Sequence, residues 1–493
     1  MFNTTKAVCT ARNWAAFLFA LSCCVLGEHA TRAAGPTATR EPSDAKTQYV
    51  RVSPRDARYL ELTDGTPYIP IGLNVIHPGG GVTTEQGLAQ MEHWMKLLAD
   101  NGGNYMRVWL SADFWDCERE RAGVFDEERA KRIDSLLTLA DRYGIRVKMT
   151  IEHFREIEPN DVRQKWAWKP IYHVSQGGTA QNMTDWLAND LSRQQFLKKL
   201  TWLQQRFGDQ PAIFAWELWN EINAVRDGDY MSWTEAMLPE LKQRFPRNMT
   251  LQSLGSFDSQ WAVKPYERLC HLTDNDIAQV HRYLDLGAQL EVCHGPGDVL
   301  AADAIRTLQG MKPGRPIILA ESGAVEPQHS GPFKLYAKDQ AGILLHDVLF
   351  APFFVGAAGA GQCWHWDQYV DKNNLWRQFR GFADVVAGID PAAEAFEPRM
   401  LAHPRLRVYV LHGKQTTLVW CRDIENTWQT ELAEGRAPDQ LSDLNVSLAD
   451  ALSLQGRRIE TYDPWTNVWA TAKVDGDTVQ LPTFSRSIVI RVK

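Results

Sequence analysis

Two hydrophobic periods alternate along most of this chain. From residue 68 onward, short runs of consecutive apolar residues have the pattern of strands buried on both faces. Each run is followed by a stretch with apolar positions at i, i+3 and i+4, the pattern of an amphipathic helix. The runs predict eight strands: Tyr68 to Asn74, Tyr105 to Leu110, Val147 to Phe154, Ile213 onward, Thr250 to Leu254, Ala278 to Leu284, Pro316 to Ala320 and Ala357 to His365. The intervening helices fall near Gly87 to Asn101, Glu127 to Tyr143, Ser192 to Phe207, Trp233 to Phe245, Lys264 to Cys270, Val299 to Met311, Lys338 to Phe350 and Leu375 to Ala387. Gly144 stands where a helix stop is needed. Eight strand–helix units in about 320 residues fit an α/β fold of the (β/α)8 TIM-barrel type. The rival, a doubly wound open sheet, normally shows a Gly-rich first turn, which is absent.

Beyond about Asp390 the helical period stops. Short alternating strands replace it, at Leu406 to His412, Thr417 to Cys421, Arg458 to Tyr462, Thr478 to Leu481 and Ser487 to Val492, the texture of a small all-β sandwich. At the other end, Lys6 and Arg12 precede an apolar run from Ala15 to Leu26, and small residues follow. This is the three-part pattern of a secretory signal peptide, and the run is too short to span a membrane comfortably. The expected organisation is a signal peptide over 1–34, a linker over 35–48, a barrel over 49–388 and a β-sandwich over 389–493. Asp64-Gly65 marks a hairpin at the barrel's entrance. Cys23 is a weak match to a lipid-attachment site, since Leu does not fill the first position of Ala20-Leu21-Ser22-Cys23.

Composition sharpens this picture in three ways. The net charge of −7 gives no footprint for nucleic acid. Five cysteines lie beyond the leader, Cys117, Cys270, Cys293, Cys363 and Cys421. Their number and spacing show no disulfide framework, although one bridge is open to them in an oxidising compartment. No Cys/His cluster has zinc spacing and no phosphate-binding Gly loop occurs, so no metal or organic cofactor is implied. The 19 Trp residues point to a ligand with flat apolar faces. No oligomeric state is readable from the pattern.

In such a barrel the reactive groups gather at the C-terminal ends of the strands. Those ends offer Arg107, His153, Asn220, Glu221, His281, Tyr283, Glu321, Trp364 and Trp366. Glu221 closes IFAWELWNE and Glu321 closes ILAE. An acid ending a buried strand is costly unless it has a task or a partner. Two acids on strands four and seven face one another across the mouth, as glycosidic-bond hydrolysis requires. Blander roles are open to each: Glu221 as a helix cap or Arg partner, Arg107 in a core ion pair with Glu152 or Glu217, His153 and His281 as satisfied core histidines, and Trp364 as a plug.

The set Arg107, His153, Asn220-Glu221, His281, Tyr283, Glu321 and Trp364 resembles the active site of glycoside hydrolase family five, the cellulase- and mannanase-like retaining enzymes, over roughly residues 50–388. The resemblance implies Glu221 as general acid/base and Glu321 as nucleophile. It further implies Asn220 on the sugar 2-hydroxyl, Arg107 and Tyr283 holding Glu321 ionised, and His281 against Glu221. His153 would line the reacting sugar's subsite and Trp364 would form its floor. Retention implies carboxyl groups about 5–5.5 Å apart. The sequence departs at Trp219, where many members carry a smaller residue, which implies a narrower pocket. His365, Trp366 and Asp367 cluster after strand eight and either contact sugar or brace the site.

The connection from Arg155 to Asp190 is long and carries Trp166, Trp168, Tyr172 and Trp186. With Phe114 and Trp115 after strand two, these aromatics wall off a pocket, extend an open groove or simply anchor loops. The leader pattern implies a secreted or periplasmic protein, and the resemblance favours a β-glycosidase on β-mannan or β-glucan type substrates. Its rivals are a non-catalytic carbohydrate-binding protein on a degenerate barrel and a transglycosylase using the same site.

Overall fold

In the computed structural model the described residues are 48–153, 157–158, 169–208, 210–225 and 228–493. The expected signal peptide, nearly all of the linker, Cys23, Trp166 and Trp168 lie outside them. Strands one to five, Gly72–Asn74, Tyr105–Trp109, Arg146–Glu152, Ile213–Trp219 and Met249–Leu251, pair in parallel in chain order. Strand six, Ala278–His281, pairs in parallel with strand seven, Ile317–Glu321. The eighth position is an extended segment that bonds both ways. Ala358 and Gln362 N–H donate to Ile317 and Leu319 at 2.9 Å, while Asn74 N–H donates to Cys363 O at 3.0 Å. Between strands five and six, Asp276 N–H donates to Thr250 O at 2.9 Å, and the Asp276 carboxylate accepts Thr250 N–H at 2.8 Å. The ring therefore closes as a (β/α)8 barrel, and the open-sheet alternative falls.

Alternation sorts the strand residues. Met106 and Val108, Met149 and Ile151, and Val280 face the helices and join the main core, so Arg107, Lys148, Thr150, Gln279 and His281 point inward. Tyr105, Phe214, Ala215, Ile318 and Ala320 fill the floor. That floor is covered by the antiparallel strands Val50–Val52, Leu60–Leu62 and Pro67–Tyr68. The Asp64-Gly65 turn enters with Gly65 at φ 86°. Helix Thr84–Asp100 starts with a capping box between Thr83 and Gln86, and Glu127–Tyr143 ends on Gly144 at φ 67°.

The C-terminal region is all-β as expected. Six antiparallel strands run in the order Glu397–Leu401, Leu406–His412, Thr417–Asp423, Ser487–Val492, Ile459–Asp463, Val468–Thr471. A second sheet holds Asn445–Ser447, Thr478–Gln480 and Lys473–Asp475, with a separate core between the two. Helix Ile343–Phe354 has every residue buried, because the barrel covers one side and the sheet's Trp420 packs on the other, against His346, Phe350 and Phe354. All five described cysteines are free and buried. No helix among the described residues is long and apolar enough to cross a membrane.

Candidate active site

A cleft of about 320 Å³ opens at the C-terminal ends of the strands, lined among others by Trp109, Asn220, Glu221, Tyr283, Glu321 and Trp364. Two backbone irregularities aim the acids into it. Pairing between strands six and seven slips between Leu319 and Glu321, a bulge of the kind that re-aims a side chain. Glu221 sits at φ 48°, ψ 53° with no capping bond from its side chain. A left-handed Glu is strained backbone, held here by its N–H donating to Ser253 Oγ at 3.0 Å. The helix-cap role open to Glu221 is thereby excluded.

One carboxylate oxygen of Glu221 lies within 4.8 Å of one from Glu321. Their partners differ. Glu321 accepts a bond from Arg107 Nη1 and another from Tyr283 OH at 2.7 Å. Among the described residues the Glu221 carboxylate meets the His281 ring, Nδ1 to Oε1 at 2.7 Å. Burial pushes both carboxyls above the ordinary range. For Glu221 the next effect, the charge of Glu321, adds to the push; for Glu321 the guanidinium of Arg107 and the Tyr283 bond oppose it. A single proton shared by the pair therefore resides on Glu221. Burial, then Arg107 and Lys148, hold His281 neutral.

Arg107 is fully buried and its guanidinium is saturated. Beyond Glu321 it reaches Glu217 at 2.6 Å, Asn220 Oδ1 at 2.7 Å, Thr150 at 3.0 Å and Asn74 at 3.3 Å. The core ion pair with Glu217 and the bond to Glu321 thus coexist. Burial alone would raise Glu217, but Arg107 and Lys148 hold it well below the usual range. Because Asn220 Oδ1 is taken by Arg107, its amide nitrogen is the group left to donate into the cleft. Glu221, His281 and Glu321 are close enough to ligate a cation; Arg107 bonds Glu321, and His281 Nδ1 meets Glu221 at 2.7 Å and Glu321 at 3.4 Å.

The remaining expected residues divide. Trp364 lines the cleft, its ring 4.9 Å from that of Trp109. Trp366 does not line it; it is buried edge-on behind Trp364 and against Trp94 and His77, bracing the platform. His153 is fully buried, stacked on Trp109 at 4.7 Å with Nδ1 2.6 Å from Ser111 Oγ; it too supports the wall from behind. Trp219 turns outward into Trp186 and Trp233 and does not narrow the pocket. Tyr172 is tied to Glu118 and Glu152, and Trp115 donates to Ile76 O, so these loop aromatics are anchors. Among the described Trp residues, Trp364 and Trp109 line the cleft, and the flat-ligand argument from 19 Trp rests chiefly on Trp364, since Trp109, like Trp115, Trp186, Trp216, Trp219, Trp233, Trp376 and Trp420, is fully buried. Sequence reasoning missed Trp109, His329 and Gln368. Trp109 was legible: it stands two positions after Arg107 on the same inward face.

The arrangement agrees with the comparisons. Residues 80–345 match the family model for cellulase, glycosyl hydrolase family 5. A mannan endo-1,4-beta-mannosidase 3 from Oryza sativa subsp. japonica is 26% identical over 153 residues, 29% of this chain and 32% of the relative. The match thus spans about a third of that relative's length. Among solved structures, a family 5 glycoside hydrolase from Bacteroides vulgatus superposes with TM-score 0.56 at 13% identity, covering 90% of this chain and 93% of that one. Another described as a glycoside hydrolase gives 0.55 at 13%, covering 90% and 97%. These identities speak for the fold alone. The family match, running from the helix after strand one to the start of the helix after strand seven, takes in both glutamates, and by it the chain belongs to glycosyl hydrolase family 5.

Proposed function

We propose that the protein is a secreted retaining β-glycoside hydrolase acting on β-linked oligo- or polysaccharides of mannan or glucan type by double displacement. The observation that carries this is the unequal pair. Two carboxyls lie within 4.8 Å, nearer the roughly 5–5.5 Å of retaining enzymes than the 6.5–9.5 Å of inverting ones, and only one of them is held by an arginine. The Glu321 carboxylate attacks the anomeric carbon as its bond to the leaving oxygen breaks, and Glu221 gives that oxygen its proton. The result is a glycosyl ester on Glu321. Glu221, now ionised, takes a proton from water as the water oxygen attacks the same carbon and releases Glu321. Asn220 donates to the 2-hydroxyl, and the face of Trp364, backed by the buried Trp109, packs on the sugar's C–H face.

The test is hydrolysis of aryl β-mannosides and β-glucosides. Glu321→Ala is expected to lower kcat by about 10⁴-fold or more on every substrate, as losing a nucleophile does. Glu221→Ala is expected to spare activated leaving groups most, and azide to rescue it with a β-glycosyl azide as product. Full activity in either variant removes that residue from its role. A binding protein on a degenerate barrel would show no turnover to lose.

A further inference from the structure

We infer that His329 is a specificity-determining residue that contacts the leaving sugar, taking one of its hydroxyls on Nε2 in exchange for Ser256. This rests on the double-displacement reading above. His329 lines the cleft, and its side chain is 39% exposed. It reaches that position through strained backbone: Gln328 and His329 are consecutive left-handed residues at φ 61° and 55°, a conformation that non-glycine residues rarely adopt. A buried acid holds the strain. Asp285 accepts His329 Nδ1–H at 2.9 Å, Gln328 N–H at 3.0 Å and Gly287 N–H at 2.7 Å. A Cβ at Gly287 would stand 2.5 Å from Gln328 N, so the close approach of these two loops requires glycine. The turn is closed again where Glu326 N–H donates to Gly331 O at 2.9 Å.

The ring's orientation follows. With Nδ1–H committed to a carboxylate, Nε2 is the ring atom left for a hydroxyl. Its present partner is the Ser256 hydroxyl at 3.1 Å, a half-exposed group that water can serve equally well. Ser256 follows Gly255, whose Cα side faces Glu221: a Cβ there would lie 3.8 Å from that carboxyl carbon. The His329 edge also touches Tyr283, with ring centroids 5.1 Å apart. The aromatic platform, Trp364 backed by the buried Trp109, comes from the eighth segment and strand two, whereas His329 and Ser256 come from the loops after strands seven and five. His329 is bonded to Ser256, whose neighbour Gly255 lies against Glu221, and an acid protonates the bridging oxygen, so a group on the acid's flank meets what departs.

A pair of substrates of the same sugar separates this from a merely structural role: a 4-nitrophenyl β-glycoside, whose leaving group is no sugar, and the β-1,4-linked tetrasaccharide. His329→Ala is expected to lower kcat/KM on the tetrasaccharide by about 10–100-fold, the worth of one buried hydrogen bond. It should leave the aryl glycoside within about threefold. His329→Gln, which keeps an acceptor, should recover part of the loss. Ser256→Ala should stay within about threefold on both substrates, because it frees Nε2 without removing it. Equal losses on the two substrates, no loss on either, or a Ser256→Ala defect as large as that of His329→Ala overturns the inference while leaving the double-displacement reading intact. Wild-type protein that cleaves neither substrate overturns both.

Discussion

Inside the barrel, one layer beneath the glutamates, Lys148 is fully buried. It donates to Gln279 at 2.8 Å and sits 3.8 Å from Glu217. Burial, then the charge of Arg107, push its ammonium down to about 7. An unfolded Lys holds its proton to about 10.4. Between those values the unfolded chain binds a proton that the folded one lacks, so this residue makes stability rise with pH across that window. Lys148→Met removes the titration. Its stability, measured by urea unfolding at several pH values from about 6 to 9.5, is expected to climb less steeply than that of the wild type, by up to about 1.4 kcal/mol per pH unit; parallel curves sink the idea. The layer of Arg107, Lys148, Glu217 and Gln279 was partly legible, because Arg107 and Glu217 are lone polar residues within the otherwise apolar runs YMRVWL and IFAWELW, at the height where a barrel interior begins. The partners were not legible. Arg107 reaches Glu217 across 110 residues of chain and Glu321 across 214, and only closure of the ring says which acid stands opposite which strand.

At the level of elements, the two periods separated strands from helices because barrel strands are covered on both faces and their helices on one. They fared worst where side chains take over backbone work. Strand five is only Met249–Leu251 where Thr250 to Leu254 was expected, since the amide of Gln252 goes to the Asn275 side chain at 3.1 Å and not to a neighbouring strand. The helix expected from Lys338 begins at Ile343, because the Asp339 carboxylate accepts the N–H groups of Gly342, Ile343 and Leu344 and so caps it late. The bulge before Glu321 left no trace in ILAE. Strand one shows how tight the ring is. A Cβ at Gly72 would fall 1.8 Å from the backbone oxygen of Tyr105, and no rotamer change relieves a clash with backbone. Gly72→Ala is therefore expected to destabilise by about 2–3 kcal/mol, as overpacking does, and to shift Arg107 along with strand two. Thermal unfolding, with kcat read alongside, checks it, and an unchanged melting temperature would mean that the strands part more easily than this packing allows.

The C-terminal sheet matters to the molecule through what it covers. Without it, helix Ile343–Phe354 would expose Phe350 and Phe354, and the charges that join sheet to barrel would lose their partners. Arg407 and Tyr409 OH both reach Asp298, Ser487 Oγ meets His346 Nε2 at 2.8 Å, and Arg422 bonds Asp347 at 2.8 Å with neither charge open to water. Burial pushes the Asp347 carboxyl up to about 6 even against Arg422, which says how far desolvation has eaten into the pair's attraction. Such pairs are costly to halve and cheap to replace. Asp347→Ala leaves the Arg422 guanidinium buried with no carboxylate bonded to it among the described residues, holding Asn426 at 2.9 Å and the backbone carbonyls of Arg486 and Asp423 at 3.1 and 3.5 Å, and is expected to cost about 3–5 kcal/mol. Asp347→Leu combined with Arg422→Met keeps the volume and removes both charges, so it should unfold within about 1 kcal/mol of the wild type. Chemical denaturation of the two singles and the double gives the coupling directly. A double variant as unstable as the singles would show that the pair itself joins sheet to barrel; recovery in the double would assign that task to the apolar contact of Trp420 with the helix, with the ions setting only where the sheet comes to rest.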